Sequence, residues 1–444
     1  MLEKIKDKTA KIAIVGMGYI GLPTSIAFAE AGYEVYGYDV NEEVINTLKN
    51  GKIHIKEPDL QQSFEKVLNS KKLIPTNKLE KSDVFIICVP TPFVKKENKK
   101  LSDITYVEKA SKEISPYVEK GTLVILESTV PPMTTDEVVG KIIESETNLK
   151  LNEDFLLSYC PERVLPGRIL YELKNNDRII GSSSEKAKEI TKSLYESILT
   201  SGKAYTTDTH TAEMCKLVEN SYRDVNIAFA NELSIIADKI GINVFELIEL
   251  ANKHPRVNIL KPGAGVGGHC LAVDPWFIVE KFPEEANIIR TARETNDNKP
   301  NWVVEKVEKE IKEKYPNKEK ETTIGILGLS YKPNIDDLRE SPSIEIALSL
   351  KEKGYNVVGC EPNVLKEEIK GIKNLSLKDT LERSDYLVLT LAHDEFKENI
   401  DSIMNKNVLN VVGMINKELK WVEASFFRCQ NRENFSNGST NSCV

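Results

Sequence analysis

Short apolar runs of four or five residues recur along this chain, separated by stretches in which apolar positions return every three or four residues. The first pattern fits strands buried on both faces, and the second fits the amphipathic helices that cross over between them. Lys11-Ile12-Ala13-Ile14-Val15 is such a run; it leads into Gly16-Met17-Gly18-Tyr19-Ile20-Gly21, and Pro23 to Ala31 then reads as a helix. A second strand, Glu34 to Tyr38, ends at Asp39. Further along, Thr211 to Lys239 carries Met214, Leu217, Val218, Val225, Ala228, Phe229, Leu233 and Ile236 near helical spacing with no proline, which predicts one long helix. Val244 to Ala251 predicts a shorter helix, and Lys312 to Glu321 is a charge-rich, weakly apolar linker.

The opening pattern occurs twice. Ile12-Ala13-Ile14-Val15-Gly16 is echoed by Ile324-Gly325-Ile326-Leu327-Gly328, Gly32-Tyr33-Glu34-Val35 by Gly354-Tyr355-Asn356-Val357, and Ser82-Asp83-Val84 by Ser384-Asp385-Tyr386. In the second copy Tyr331 to Glu340 is inserted after the glycine strand, where doubly wound sheets bind ligands. The expected fold class is therefore α/β, with two Rossmann-like doubly wound parallel sheets joined by a central helical dimerisation segment. The expected domains are 1–205, 206–310 and 320–422, with 423–444, rich in Asn and Ser, as a disordered tail.

Strand, glycine turn and helix come in the order a dinucleotide site requires. Asp39, about 20 residues past the glycines, suits the two hydroxyls of an adenosine ribose and would repel a 2′-phosphate, so the expected cofactor is NAD. A second glycine-dense loop, Gly263-Ala264-Gly265-Val266-Gly267-Gly268, ends at His269-Cys270, with Asp274 four residues further on. Four nearby glycines, a histidine and an aspartate suit a nucleophilic thiol better than a small hydrophobe filling a turn. An NAD site with a poised thiol suggests one chemistry. Hydride removal from an alcohol gives an aldehyde, the cysteine traps it as a thiohemiacetal, and a second hydride loss gives a thioester that water cleaves to an acid.

With 444 residues the chain exceeds one compact core. A net charge of −8 with the two signs interspersed offers no basic face for nucleic acid or anionic lipid, and no run reaches the length of a membrane span. The charged start makes cytoplasm the expected compartment. Seven cysteines without paired or metal-like spacing predict free thiols, neither disulfide nor metal site.

These residues together resemble the UDP-glucose/GDP-mannose dehydrogenase family from about Lys11 to about Gly413. The general features are Gly16 to Gly21, Val89-Pro90-Thr91-Pro92, Glu127-Ser128-Thr129-Val130-Pro131-Pro132 and the loop Gly267-Gly268-His269-Cys270 with Asp274. The segments Ile53 to Leu60, Tyr159 to Gly167, Ala212 to Asn226 and His254 to Leu260 resemble a branch acting on an N-acetylated sugar. The UDP-glucose branch would show Asn-Pro-Glu-Phe-Leu where this chain has Cys160-Pro161-Glu162-Arg163-Val164. Met133 and Ser182 stand where the family carries glycine, and Asn410 where it carries aspartate.

The resemblance, with the spacing of the residues, assigns roles. Lys216 and Asn220, one helical turn apart, would aim an ammonium and an amide at one oxygen. Asp274 or Glu162 would serve the hydrolytic water, and Thr129 a water or the nicotinamide ribose. Cofactor contacts are expected from Gly16, Gly18, Tyr19, Ile20, Gly21, Asp39, Thr91, Thr129 and Arg339. A UDP-sugar is the implied substrate, met by Arg163, Val164, Lys216, Asn220, Arg223, His254, Arg256, Gly267, Tyr331 and Lys332. The implied assembly is a homodimer or homotetramer in which Arg256 reaches the neighbouring subunit's site. Three alternatives stay open: the same chemistry on UDP-glucose or GDP-mannose, a two-electron β-hydroxyacid dehydrogenase that has no need of Cys270, and a nucleotide-sugar or NAD binder without turnover.

Overall fold

The first sheet is built from β1 (Lys11–Val15), β2 (Glu34–Tyr38), β3 (Leu73–Thr76), β4 (Val84–Ile87), β7 (Leu123–Leu126), β8 (Leu156–Tyr159), β9 (Arg178–Gly181) and β10 (Ala204–Thr207), with β5 (Phe93–Lys96) and β6 (Lys99–Ser102) forming a separate hairpin. Its order is β10-β9-β8-β7-β4-β1-β2-β3. Every pairing from β8 to β3 is parallel, whereas β9 meets β8 antiparallel at Tyr159 and Gly181. The period-two geometry of a strand explains the apolar runs. Ile12 and Ile14 of β1 enter one core, with Leu22, Ile26 and Phe28 of the following helix, and Ala13 and Val15 enter the other, with Val107, Ile114 and Val139. The sheet is thus the middle of three layers.

The second sheet comprises β11 (Thr323–Leu327), β12 (Asn356–Cys360), β13 (Glu368–Ile369), β14 (Ile372–Asn374), β15 (Tyr386–Leu389) and β16 (Asn407–Asn410), in the order β13-β14-β12-β11-β15-β16. It is parallel apart from the short β13. Tyr386 and Val388 face one core, Leu387 and Leu389 the other. The sequence repeat is structural: β3-β2-β1-β4 matches β14-β12-β11-β15, with Ile12 beside Val35 in one copy and Ile324 beside Val357 in the other.

The computed structural model describes residues 1–55, 57–96, 99–164, 167–268 and 270–414; His269 and the tail 423–444 lie outside them. The chain divides into two units, Met1–Arg223 with Val273–Arg290, and Asp224–Ala272 with the chain from Thr291 on. One helix, Thr209–Ile240, runs through the first division, close to the predicted span. A second helix, Asn287–Lys314, takes in the start of the expected linker, because Val303, Val307 and Ile311 extend its buried stripe into a Glu- and Lys-rich run of good helix formers. Among the described residues no helix is long and apolar enough to cross a membrane.

Candidate active site

Gly16 turns the chain at the end of β1 with φ +99°, and its N–H donates to the Tyr38 carbonyl at 2.8 Å. A Cβ there would lie 2.8 Å from the Cys88 carbonyl oxygen, and one on Gly21 would lie 1.8 Å from the Gly16 oxygen, so neither position accepts a side chain. A Cβ on Gly18 would meet nothing within 4 Å. Gly18 and Tyr19 are exposed, Ile20 is half-buried, and no side chain caps the helix Gly21–Glu30 that follows. Open space at a helix N-terminus that no side chain caps is what a pyrophosphate needs. Asp39 is held at the rim: its Oδ2 accepts the Met17 N–H and its Oδ1 the Asn41 N–H, each at 2.8 Å. These residues fit an NAD.

The neighbouring strand ends carry the other polar groups of this unit. Thr91 Oγ1 donates to the Thr129 carbonyl at 2.6 Å, and Ser128 Oγ to the Val89 carbonyl at 2.7 Å, so the two predicted threonine segments are tied together. Glu162 is buried; its Oε1 accepts the Arg163 N–H at 2.6 Å and its Oε2 lies 2.7 Å from Arg178 Nη1. The Arg163 guanidinium is held by Glu219, at 2.7 Å and 3.1 Å, and Val164 beside it is half-buried. On the long helix Lys216 and Asn220 are half-buried and Arg223 is exposed. Asn220 Nδ2 donates to Asp274 Oδ2 at 2.6 Å. Asp274, buried at the start of the helix Asp274–Lys281, is pushed up to about 6 by burial, against the opposing pull of the Lys216 charge and the Asn220 bond.

In the other unit the glycine loop packs on the inserted segment. A Cβ on Gly267 would fall 2.4 Å from the Glu340 oxygen, and one on Gly268, at φ +83°, 2.8 Å from the Tyr331 ring. The Gly268 N–H donates to the Arg339 carbonyl at 3.2 Å. The Arg339 guanidinium pairs with Asp337 and the Lys332 side chain is exposed. Buried groups moor both ends of the loop: Gly263 N–H donates to Asn231 Oδ1 at 2.9 Å, Asn231 to Asn296, and Asn296 to Asp224, while Arg293 pairs with Asp224 and reaches the Leu271 carbonyl at 3.4 Å. Among the described cysteines Cys270 alone is exposed; Cys88, Cys160 and Cys360 are buried and Cys215 is half-buried. His254 and Arg256 share an exposed turn, His254 Nδ1 accepting the Arg256 N–H at 3.3 Å.

Three family models cover this chain: the NAD binding domain of the UDP-glucose/GDP-mannose dehydrogenase family matches residues 10–199, its central domain 210–298 and its UDP binding domain 325–415. The chain belongs to that family. It is 46% identical over 424 residues to a UDP-N-acetyl-D-mannosamine dehydrogenase of Methanocaldococcus jannaschii, covering 94% of this chain and 95% of that one. It is 45% identical over 413 residues to an NDP-N-acetyl-D-galactosaminuronic acid dehydrogenase of Ralstonia nicotianae, covering 91% and 96%. A solved UDP-D-ManNAc dehydrogenase of Pyrococcus horikoshii superposes with a TM-score of 0.84 at 40% identity, over 92% of this chain and 96% of that one.

The family's departures here are accommodated locally. Met133 keeps the left-handed backbone of a glycine, φ +76°, and its N–H, with that of Thr135, donates to the buried Glu213. Ser182 Oγ donates to the Leu157 carbonyl, and Asn410 bonds the backbone of Met414. Sequence reading passed over Glu127, Arg178, Glu213, Asp224 and Arg293, all buried and charged. The available signal was a charge abutting a wholly apolar strand, as Glu127 abuts β7.

Proposed function

We propose that this dehydrogenase oxidises the C6 hydroxyl of UDP-N-acetyl-D-mannosamine to the carboxylate in the cytoplasm, reducing two NAD for each sugar and consuming one water. The exposed thiol of Cys270 carries the reading, because a two-electron alcohol oxidation has no use for it. When bound, NAD accepts a hydride from the sugar carbon in each oxidation. Gly16, Gly18, Tyr19, Ile20, Gly21, Asp39, Thr91, Thr129 and Arg339 hold it, and the Asp39 carboxylate disfavours NADP.

Lys216 and Asn220 stabilise the alkoxide of the first oxidation. Cys270 adds to the aldehyde carbon as thiolate, giving a thiohemiacetal, and keeps the acyl group as a thioester after the second. Water then cleaves the thioester, Glu162 taking its proton while Asp274 holds the Asn220 amide; the acid leaves and the thiolate returns. Arg163, Val164, Arg223, His254, Gly267, Tyr331 and Lys332 bind the nucleotide sugar. The helix Thr209–Ile240 exposes Val218, Tyr222, Phe229, Ile236 and Ile240, spaced to share one face. That stripe supports a homodimer, or a homotetramer, in which Arg256 serves the neighbouring subunit.

The N-acetylgalactosaminuronic relative keeps a second sugar open at nearly the same identity. NADH release with UDP-N-acetyl-D-mannosamine, UDP-N-acetyl-D-galactosamine, UDP-glucose and GDP-mannose decides between them. Two NADH per N-acetylmannosamine sugar, with slow turnover of the others, is the expected result. Tight binding of all four without NADH would sink the enzymatic reading.

A further inference from the structure

Beneath the strand ends of the first sheet lies a polar cluster of which the mechanism above uses Glu162 alone. Arg178, at the start of β9, is 1% exposed. One of its nitrogens, Nη1, lies 2.7 Å from Glu162 Oε2 and 3.5 Å from Glu127 Oε1. Glu127, at the end of β7, is 2% exposed and also receives the Tyr195 hydroxyl on Oε1 at 3.5 Å and the Cys88 thiol on Oε2 at 3.0 Å. The Tyr195 ring lies 5.2 Å from the Arg178 guanidinium carbon, and Cys160 completes the set of titratable groups facing it. Two carboxylates therefore face one guanidinium that is itself shut off from solvent, where a charge without a counter-ion is disfavoured.

We propose that Arg178 and Glu127 are positioning residues for Glu162, Arg178 aiming its carboxylate and Glu127 competing with it for the same guanidinium nitrogen. The proposal rests on the assignment of Glu162 to the hydrolytic water. Its physical content is that the cluster is balanced with one carboxylate ionised, so a proton on either acid leaves the guanidinium to the other. Burial pushes the Glu127 carboxyl upward and the neighbouring Glu162 pushes the same way, with Arg178 opposing both. When Glu162 takes the proton from water, Glu127 stands ready as the counter-ion of Arg178, and no buried charge is stranded. Cys88 and Tyr195, donors both, favour the ionised Glu127 at that moment.

The test compares Glu127→Gln, Arg178→Lys and Glu162→Gln in the full-length enzyme, following kcat and KM across pH and NAD affinity as a check of fold. Glu127→Gln leaves the Arg178 charge acting on Glu162 alone. With no second carboxylate to take up that charge once Glu162 is protonated, kcat is expected to fall by about 10-fold, with KM and NAD affinity unchanged. Arg178→Lys loses the planar fork and is expected to lower kcat by about 10- to 100-fold, with KM and NAD affinity near wild type. An unchanged kcat in Glu127→Gln or in Arg178→Lys overturns the proposal. Wild-type turnover by Glu162→Gln overturns instead the assignment of Glu162 on which it stands.

Discussion

Single residues separate chemistry from support here. Cys270→Ser is expected to abolish acid formation while leaving NAD affinity within about twofold, a split that stoichiometric NADH release and NAD titration would read together. Asp274 gives a pH-dependent stability of defined sign. Its folded-state value of about 6 lies above the ordinary carboxylate value, so its contribution is fully present below about pH 4 and is lost as the pH rises through 6. Asp274→Asn should therefore be more stable than wild type at pH 8, by on the order of 2 kcal/mol, and little changed at pH 4; urea unfolding at the two pH values checks it. Met133→Gly relieves a left-handed methionine, φ +76°, and should raise the urea midpoint by the equivalent of about 0.5–1 kcal/mol. Cys270, Asp39 and Asp274 could be singled out as candidates because each stands beside its own local signal, a glycine loop or a strand end. Glu127 and Arg178 were not, since a pair 51 residues apart is joined only by the order of β7, β8 and β9.

At the level of elements, β1, β4, β11 and β15 were legible because burial on both faces leaves an unbroken apolar run, and the long helix because its apolar period continues without proline from Thr211 to Lys239. The β5–β6 hairpin escaped notice, its lysines giving neither signal, and nothing in four residues of β9 marks it as antiparallel to β8. The helix Thr209–Ile240 carries the sharpest prediction at this scale. Tyr222→Glu with Phe229→Glu places two charges on its exposed apolar face, where Tyr222 is 72% and Phe229 51% exposed. The double variant is expected to be monomeric by light scattering and, since the proposed assembly has Arg256 supplied by a partner, to lose turnover while still binding NAD. A dimer of full activity would refute the assignment of that face.

For the whole molecule, the duplicated sheet shows one plan put to two uses. Gly328 turns at φ +97° and its N–H meets the Cys360 carbonyl, as Gly16 meets Tyr38. Glu361 replaces Asp39 but is spent internally: it accepts the Leu329 and Ser330 N–H groups at 2.8 Å, and His393 stands 3.2 Å away. Those contacts pull its carboxyl down to about 2 despite burial. Dinucleotide binding is accordingly expected at the first sheet alone. NAD at about 100 times its dissociation constant should stabilise the chain by about 2.7 kcal/mol, measured as a shift in thermal unfolding, and a calorimetric titration should give one NAD per chain. The division of the chain has a temporal consequence as well. Leu217 shares its core with Val273, Phe277 and Ile278, segments of one unit that are separated in sequence by part of the other. A ribosome must therefore finish the helix Asp274–Lys281 before this core of the amino-terminal unit can close, and until then the nascent chain is expected to hold an unsealed apolar seam.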